Sequence, residues 1–267
     1  MTFQKAFVTG ASSGIGEALA KLFAEKGISL TIHGRDALKL EALADELRTL
    51  VPVETILGDL TKSEDRAKLI EAIHHGVPDL LVNNAGMGLY GEALSYSTQE
   101  QMGMFKLNSE AVLELTLEGA RTLASHRKDG VILNVSSVVG FIPIPYVAIY
   151  SASKAFVTHF SESLDEELRL RGIRVLTSCP GVVRTNFQKR AMQGGAKLSR
   201  QAAVMTPEYA AEQIWKQIES GKSVRTFDWI YRLISFLVRY VVPRAWLFST
   251  LRKQFIKYLP QRPIVPI

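Results

Sequence analysis

Ser137, Tyr150 and Lys154 stand in one stretch, residues 131–156, which reads VILNVSSVVGFIPIPYVAIYSASKAF. Tyr150 and Lys154 are four apart where a helical pattern begins, so their side chains project from one face, one turn apart, and an ammonium falls beside a phenol. A phenol titrates near pH ~10 and is a poor proton shuttle at neutral pH unless a nearby positive charge favours its ionised form. Lowering it by roughly three units takes on the order of 4 kcal/mol, which the ammonium and a cationic cofactor ring in a dry pocket could supply. Tyr150 is then the candidate acid–base. Ser137, 13 residues upstream, can hold the oxygen of a carbonyl or alcohol while the proton moves. The same tyrosine–lysine spacing also fits an amphipathic surface pair, so the surrounding elements must decide.

Residues 131–135 form the kind of apolar run that fills a buried parallel strand, and Ser136 and Ser137 break it where such a strand leaves the core. Residues 5–9 give another buried-strand pattern, followed at once by GASSGIG and a helical run over 17–26. In that order Gly10 permits a tight turn, Gly14 lets backbone approach a pyrophosphate and Gly16 allows close helix packing. The helix N-terminus adds unpaired N–H groups and the positive end of the dipole. The glycine spacing differs from the G-x-G-x-x-G fingerprint, and a purely structural turn is the alternative. A strand over 29–33 ends at Gly34-Arg35-Asp36, where the adenosine ribose of a dinucleotide would lie. Arg35 suits a 2′-phosphate, which predicts NADP(H) over NAD(H). Against that reading, Asp36 could serve a ribose diol and Arg35 could be a solvated loop residue.

Further strand ends carry polar groups. After the strand 53–57, Asp59 could accept from an adenine amino group or cap the next helix. The strand 79–82 ends in Asn83-Asn84-Ala85-Gly86, a loop where backbone can pass close to a ligand. Capping boxes at Ser97 with Glu100 and at Thr98 with Gln101 predict a long helix containing Asn108. An amide in mid-helix needs a task, such as reaching a catalytic group or a water. The strand 174–179 runs into Pro180-Gly181-Val182-Val183-Arg184-Thr185, where Thr185 could donate to a cofactor carboxamide or phosphate.

The chain of 267 residues, 47% hydrophobic, can fill a sizeable core, and strand-like and helix-like stretches alternate to about residue 227 without a linker or repeat. A strand pattern from Phe3 leaves no room for a signal peptide, which predicts a cytoplasmic location. Cys179 excludes an internal disulfide and reads as a core residue; the five histidines show no metal-ligand spacing. The net charge of +6 is unevenly placed. After Gly221 nine Lys/Arg face one acid, Asp228, whereas the first 221 residues hold 23 basic and 25 acidic side chains. The main domain therefore has no electrostatic footprint for nucleic acid.

With these pieces in place, the sequence resembles the short-chain dehydrogenase/reductase family in its single-domain form, from about Phe3 to Phe227. TGASSGIG (9–16), Asp59, NNAG (83–86), Asn108, Ser137, YSASK (150–154) and PGVVRT (180–185) carry the resemblance, in the family's order. It implies that Ser137 orients the substrate oxygen, Tyr150 is the acid–base, Lys154 lowers the Tyr150 pKa while binding the nicotinamide ribose, and Asn108 holds a water of the proton relay. It implies cofactor contacts along the glycine turn at Gly10, Ser12, Ser13, Gly14, Ile15 and Gly16. Further contacts are implied at Arg35, Asp59 and Leu60, at Asn83, Ala85 and Gly86, and at Pro180, Gly181, Val183 and Thr185. The implied fold is a Rossmann-like, doubly wound α/β sheet of seven parallel strands, the last near 224–227, between two helix layers. Homodimers or homotetramers are implied on the same ground.

Family membership fixes chemistry better than substrate. FIPIPY (141–146) predicts a stiff apolar wall beside Tyr150, and residues 186–205, with Gly194-Gly195, predict a mobile lid closed by a helix that Thr206 caps and Pro207 starts. Residues 228–267 are expected to form an amphipathic basic extension of the 1–227 domain, with arginines that rule out a spanning helix. That extension could lie on an anionic membrane surface, pack on the domain or a second subunit, or dock an acidic carrier. The reading is an NADP(H)-dependent oxidoreductase interconverting a carbonyl and an alcohol on a lipophilic substrate (fatty-acyl, steroid-like or retinoid-like). Its rivals are 3-oxoacyl carrier-protein reduction and a non-catalytic NADP(H)-binding regulator or scaffold.

Overall fold

The computed structural model describes residues 2–192, 204–227, 229–258 and 265. Seven strands, β1 (Lys5–Val8), β2 (Ser29–Gly34), β3 (Val53–Leu57), β4 (Leu80–Asn83), β5 (Gly130–Val135), β6 (Ile173–Cys179) and β9 (Val224–Thr226), form one parallel sheet in the order β3-β2-β1-β4-β5-β6-β9. Its strands read as continuous apolar runs because both faces are covered. Ala6, Val8, Leu30, Ile32, Leu80 and Val82 face α1 (Gly14–Glu25), α2 (Ala37–Arg48) and α8 (Pro207–Ser220). Phe7, Leu81, Ile132 and Val175 face α3 (Ser63–Gly76), α5 (Ala111–Ser125) and α6 (Ala148–Leu168).

The strand order reverses between β1 and β4, which opens a crevice above the carboxyl ends of the strands. The loops after β1, β2, β4, β5 and β6 border that crevice, as the polar strand ends of the sequence predict. Two local expectations need revision. The helix over Asn108 is not continuous: α4 (Thr98–Phe105) passes into a π-helical turn, Lys106–Glu110, before α5. Such turns commonly mark places where a side chain must be re-aimed, and this one buries Asn108 completely. Of the two capping boxes, Ser97 with Glu100 is the one formed.

The opposite, amino-end face of the sheet is closed by Asp165 at the far end of α6. It is fully buried and accepts from Arg174 Nε and Nη2 (both 2.8 Å), Val175 N (2.8 Å) and Ser223 Oγ (2.5 Å).

Thr206 caps α8 and Pro207 starts it, with Gly221 left-handed beyond its end. Of the expected lid, α7 (Asn186–Ala191) and β8 (Val204–Met205) are seen, β8 pairing with β7 (Val182–Val183). Gly194-Gly195 lie outside the described residues. The extension contains α9 (Trp229–Tyr240) and α10 (Arg244–Tyr258). α9 packs on β9 and on the turn Val138–Phe141, while Trp229, Leu233, Phe236 and Leu237 point to solvent. Among the described residues, no helix is long and apolar enough to cross a membrane.

Candidate active site

The glycine turn after β1 is built by close approach. Gly10 sits at φ +68°, and a Cβ there would lie 2.8 Å from Ala85 Cα; a Cβ on Gly16 would lie 2.4 Å from the Gly10 carbonyl oxygen. The loops after β1 and β4 therefore touch, and Asn84 stitches them, its Nδ2 donating to the carbonyls of Thr9 (3.0 Å) and Gly10 (3.2 Å). His33 holds the turn from below. Its Nδ1 accepts from Gly10 N (3.4 Å) and its Nε2 lies 3.1 Å from Gly58 O, an arrangement that fits the neutral ring, and burial keeps its pKa below the usual value. Ser13, the residue preceding α1, makes no side-chain cap bond, so the first N–H groups of α1 are left facing the crevice.

Ser12, Ile15, Arg35, Leu60, Ala85, Gly86, Pro180, Gly181, Val183 and Thr185 border the same crevice. Arg35 is half-exposed there, with Nη1 3.9 Å from Asp59 Oδ2. Asp36 is otherwise engaged: it caps α2, accepting from Lys39 N (3.2 Å), and pairs with the Lys39 ammonium at 2.9 Å. Asp59 accepts from Thr61 N (3.0 Å), closing a turn two residues on; it does not cap the next helix, whose N-cap position falls to Lys62. Thr185 caps α7 by accepting from Phe187 N (3.2 Å), which leaves its hydroxyl proton available for donation.

Asn83 departs from expectation. It is buried at the end of β4, and its Nδ2 donates to Asn134 Oδ1 (2.8 Å) and Thr116 Oγ1 (3.1 Å), while Asn134 in turn donates to Ser161 (2.8 Å). The pair lies in register across β4 and β5 and ties the sheet to α5 and α6. The crevice is bordered by its neighbour Asn84, because successive strand side chains alternate faces.

Ser137 and Tyr150 meet where β5 leaves the core and α6 begins, and Lys154 follows one turn on; all three are buried. Ser136 holds this junction together, donating to the Lys154 carbonyl (2.8 Å) and bonding Thr158 Oγ1 (2.8 Å). Gly140 allows the turn to lie on α6, since a Cβ there would be 2.9 Å from the Lys154 carbonyl carbon. The hydroxyls of Ser137 and Tyr90 both face the Tyr150 phenol and favour its ionised form, but burial outweighs them and pushes the phenol up to about 12. The Lys154 ammonium by itself does not offset that burial. The Lys154 ammonium lies 6.0 Å from the centre of the Tyr150 ring and donates to the Val135 carbonyl (2.9 Å), and burial lowers its pKa to about 8. At neutral pH it is still mostly protonated.

The Asn108 side chain is committed to the protein. Its Oδ1 accepts from Met87 N (3.0 Å), and its Nδ2 donates to Met87 O (2.8 Å) and Ser153 Oγ (3.3 Å). The side chain thus fixes the loop after β4 against α6. Around Tyr150 the walls are aromatic, with the Tyr90 ring at 5.6 Å and the Phe187 ring at 5.7 Å. Val138 and Val139 border the cleft directly, whereas Ile144 of the FIPIPY segment packs in the cluster behind Tyr150. Tyr90, Phe187, His33 and Asn84 are the site residues that the sequence reasoning missed as contributors. Only the Asn84 role had a signal, in the period-2 alternation of β4.

A family model described as short chain dehydrogenase matches residues 4–195. A sulfoacetaldehyde reductase from Chromohalobacter salexigens is 34% identical over 216 residues, 78% of this chain and 85% of that protein. Among solved structures, a short-chain dehydrogenase from Sphingobium yanoikuyae in complex with NADPH superposes with a TM-score of 0.80 at 29% identity, covering 99% of both chains. A bulky-bulky ketone specific alcohol dehydrogenase from Comamonas testosteroni gives 0.75 at 29% identity, covering 99% of this chain and 98% of that one.

Proposed function

The chain belongs to the short-chain dehydrogenase/reductase family, and on that premise we propose that it interconverts a lipophilic ketone or aldehyde and its alcohol with NADP(H). The observation that carries the reading is the meeting of the Ser137 and Tyr150 hydroxyls at the crevice, with Lys154 one turn along α6. NADP(H), when bound, supplies or accepts the hydride. The chain's own residues do the rest. Ser137 holds the substrate oxygen, Tyr150 gives it a proton in reduction and takes one in oxidation, and Lys154 keeps a positive charge beneath the site.

The residues present fit a dinucleotide carrying a 2′-phosphate. The open N-terminus of α1 and the glycine turn suit a pyrophosphate, and Arg35 is available at the crevice edge while Asp36 is held by α2. The NADPH named for the Sphingobium protein supports the same choice. A bulky, lipophilic substrate is supported by the aromatic and valine walls, by the ketones named for the Comamonas enzyme, and by the apolar face of α9.

The extension reads as an appendage of the catalytic domain that meets an anionic membrane surface on the cytoplasmic side. Trp229, Leu233, Phe236 and Leu237 would enter the lipid boundary with Arg232 beside them. Flotation of the full chain with anionic vesicles tests it; a chain that stays at the bottom ends the idea. Exposed Met102 and Phe105 on α4 and Phe156 on the adjoining α6 support a homodimer or homotetramer, to be tested by sedimentation.

The deciding experiment follows NADPH, with NADH in parallel, over lipophilic ketones and acyl thioesters for the wild type and Tyr150→Phe. Turnover lost in the variant supports the mechanism, and a preference for thioesters would favour carrier-protein reduction. Tight NADPH binding with no turnover on any compound would favour a regulator.

A further inference from the structure

Tyr90 is half-buried on the loop after β4; its ring centre lies 5.6 Å from that of Tyr150, and an added Cβ on Gly88 would come within 3.1 Å of its Cε1. Its backbone is held at both ends: Tyr90 N donates to the Ala191 carbonyl of α7 (3.0 Å), and Tyr90 O accepts from the Tyr96 hydroxyl (2.9 Å). Gly91 N then donates to the Tyr146 carbonyl (2.8 Å). A ring packed against these neighbours and pinned through its backbone is placed to keep its hydroxyl where it is, facing the Tyr150 hydroxyl.

We propose that Tyr90 is a positioning residue for proton transfer: it donates its phenolic hydrogen to the Tyr150 oxygen and stabilises the phenolate left when Tyr150 has given up its proton. The inference rests on Tyr150 being the acid–base. A buried phenolate in an aromatic cage is costly, and the Ser137 hydroxyl must be shared with the substrate oxygen. A second phenol that stays in place supplies a charge-assisted hydrogen bond at the moment the charge forms. Burial raises the Tyr90 pKa well above the ordinary phenol, and its contact with Tyr150 adds to that, so Tyr90 keeps its proton while Tyr150 titrates.

Other charged or titratable groups bordering the site are Lys154 on the same helix, Arg190 on α7, and His33, Arg35 and Asp36 toward the other end of the crevice. Cys179 lies near Lys154, with its thiol pushed by burial up to about 12. None of these is altered by Tyr90→Phe, which keeps the ring and its packing.

Two measurements test the proposal. The first is the pH profile of kcat/KM for wild type and Tyr90→Phe, in both directions, on the best substrate of the panel. Removing the donor moves the inflection of Tyr150 upward by about one pH unit in both profiles, and kcat/KM at neutral pH falls by up to roughly tenfold. NADPH affinity is unchanged. The second, which needs no substrate, is spectroscopic titration of the phenolate that disappears in Tyr150→Phe; in Tyr90→Phe it titrates at higher pH. An unmoved inflection with a raised KM would make Tyr90 a wall of the substrate site and overturn the proposal. A faster Tyr90→Phe enzyme with a lowered KM would also overturn it, by showing that the phenol merely occupies the place of the substrate oxygen. If no substrate turns over, the phenolate titration still decides the role of Tyr90, separately from the proposed activity.

Discussion

At its amino end α6 buries a phenol and an ammonium whose titrations are both pushed toward the neutral form, whereas at its carboxyl end it buries a carboxylate that is held ionised. Burial also works against the charge of Asp165, but the hydrogen bonds from Arg174, Ser223 and Val175 N outweigh it, and its pKa is lowered. For Tyr150 the hydroxyls of Ser137 and Tyr90 favour the charged form, and burial outweighs them. The same helix thus carries a charge whose hydrogen-bonding needs are met by the protein, and a phenol and an ammonium whose charged forms the protein meets only in part. Such partial satisfaction marks a functional site more clearly than burial does.

The comparison is broken most directly by Tyr150→Phe. The ring and its packing stay, so thermal stability changes little, while turnover falls by about 10²- to 10⁴-fold, as expected for loss of a general acid–base. A loss of turnover that merely follows a loss of folded protein would show that the amino end of α6 is structural too.

Asp165→Ala is expected to do the reverse. It leaves the Arg174 guanidinium without its bidentate partner and Val175 N without its side-chain acceptor, at a cost of about 3–5 kcal/mol in urea unfolding. The kcat/KM per folded molecule stays near the wild-type value. The Asp165 carboxylate is stabilising above its unfolded pKa, and that contribution is lost as the pH falls through the lowered folded value. The variant's acid limb of stability should therefore be flatter.

What could be read before folding follows the same division. Local spacing was enough to bring Ser137, Tyr150 and Lys154 together, because a strand end and a single helix turn fix them relative to one another. The glycine turn and the Thr206 cap were legible for the same reason, whereas the seven-strand parallel sheet was expected from the family resemblance. What depended on distant segments was not. The fate of Asn83 was decided by Asn134 across the sheet, a polar residue within the apolar run VILNV that was the available clue. The π-turn at Asn108 answers to the Met87 backbone, and the upward shift of Tyr150 comes from burial among Tyr90 and Phe187, contributed by a loop and a helix far apart in sequence.

The smallest expected effect lies with Lys154, and it sharpens the contrast through its sign. The folded pKa of about 8 is below the model-compound value of 10.5, so between these values the unfolded chain binds the proton more than the folded one does. Stability should therefore rise with pH over that window, and the penalty for burying the ammonium is fully present below about pH 8 and gone above about 10.5. A shift of this size corresponds to roughly 3 kcal/mol, offset in part by about 1–3 kcal/mol when the Val135 carbonyl loses its charged donor. In Lys154→Met the net change at neutral pH is thus small, but the rise in stability between pH 8 and 10 should be absent, as read by urea midpoints at several pH values. If the variant keeps that rise, the ammonium is as well solvated by the protein as the Asp165 carboxylate is, and the two ends of α6 do not differ in the way the hydrogen bonds imply.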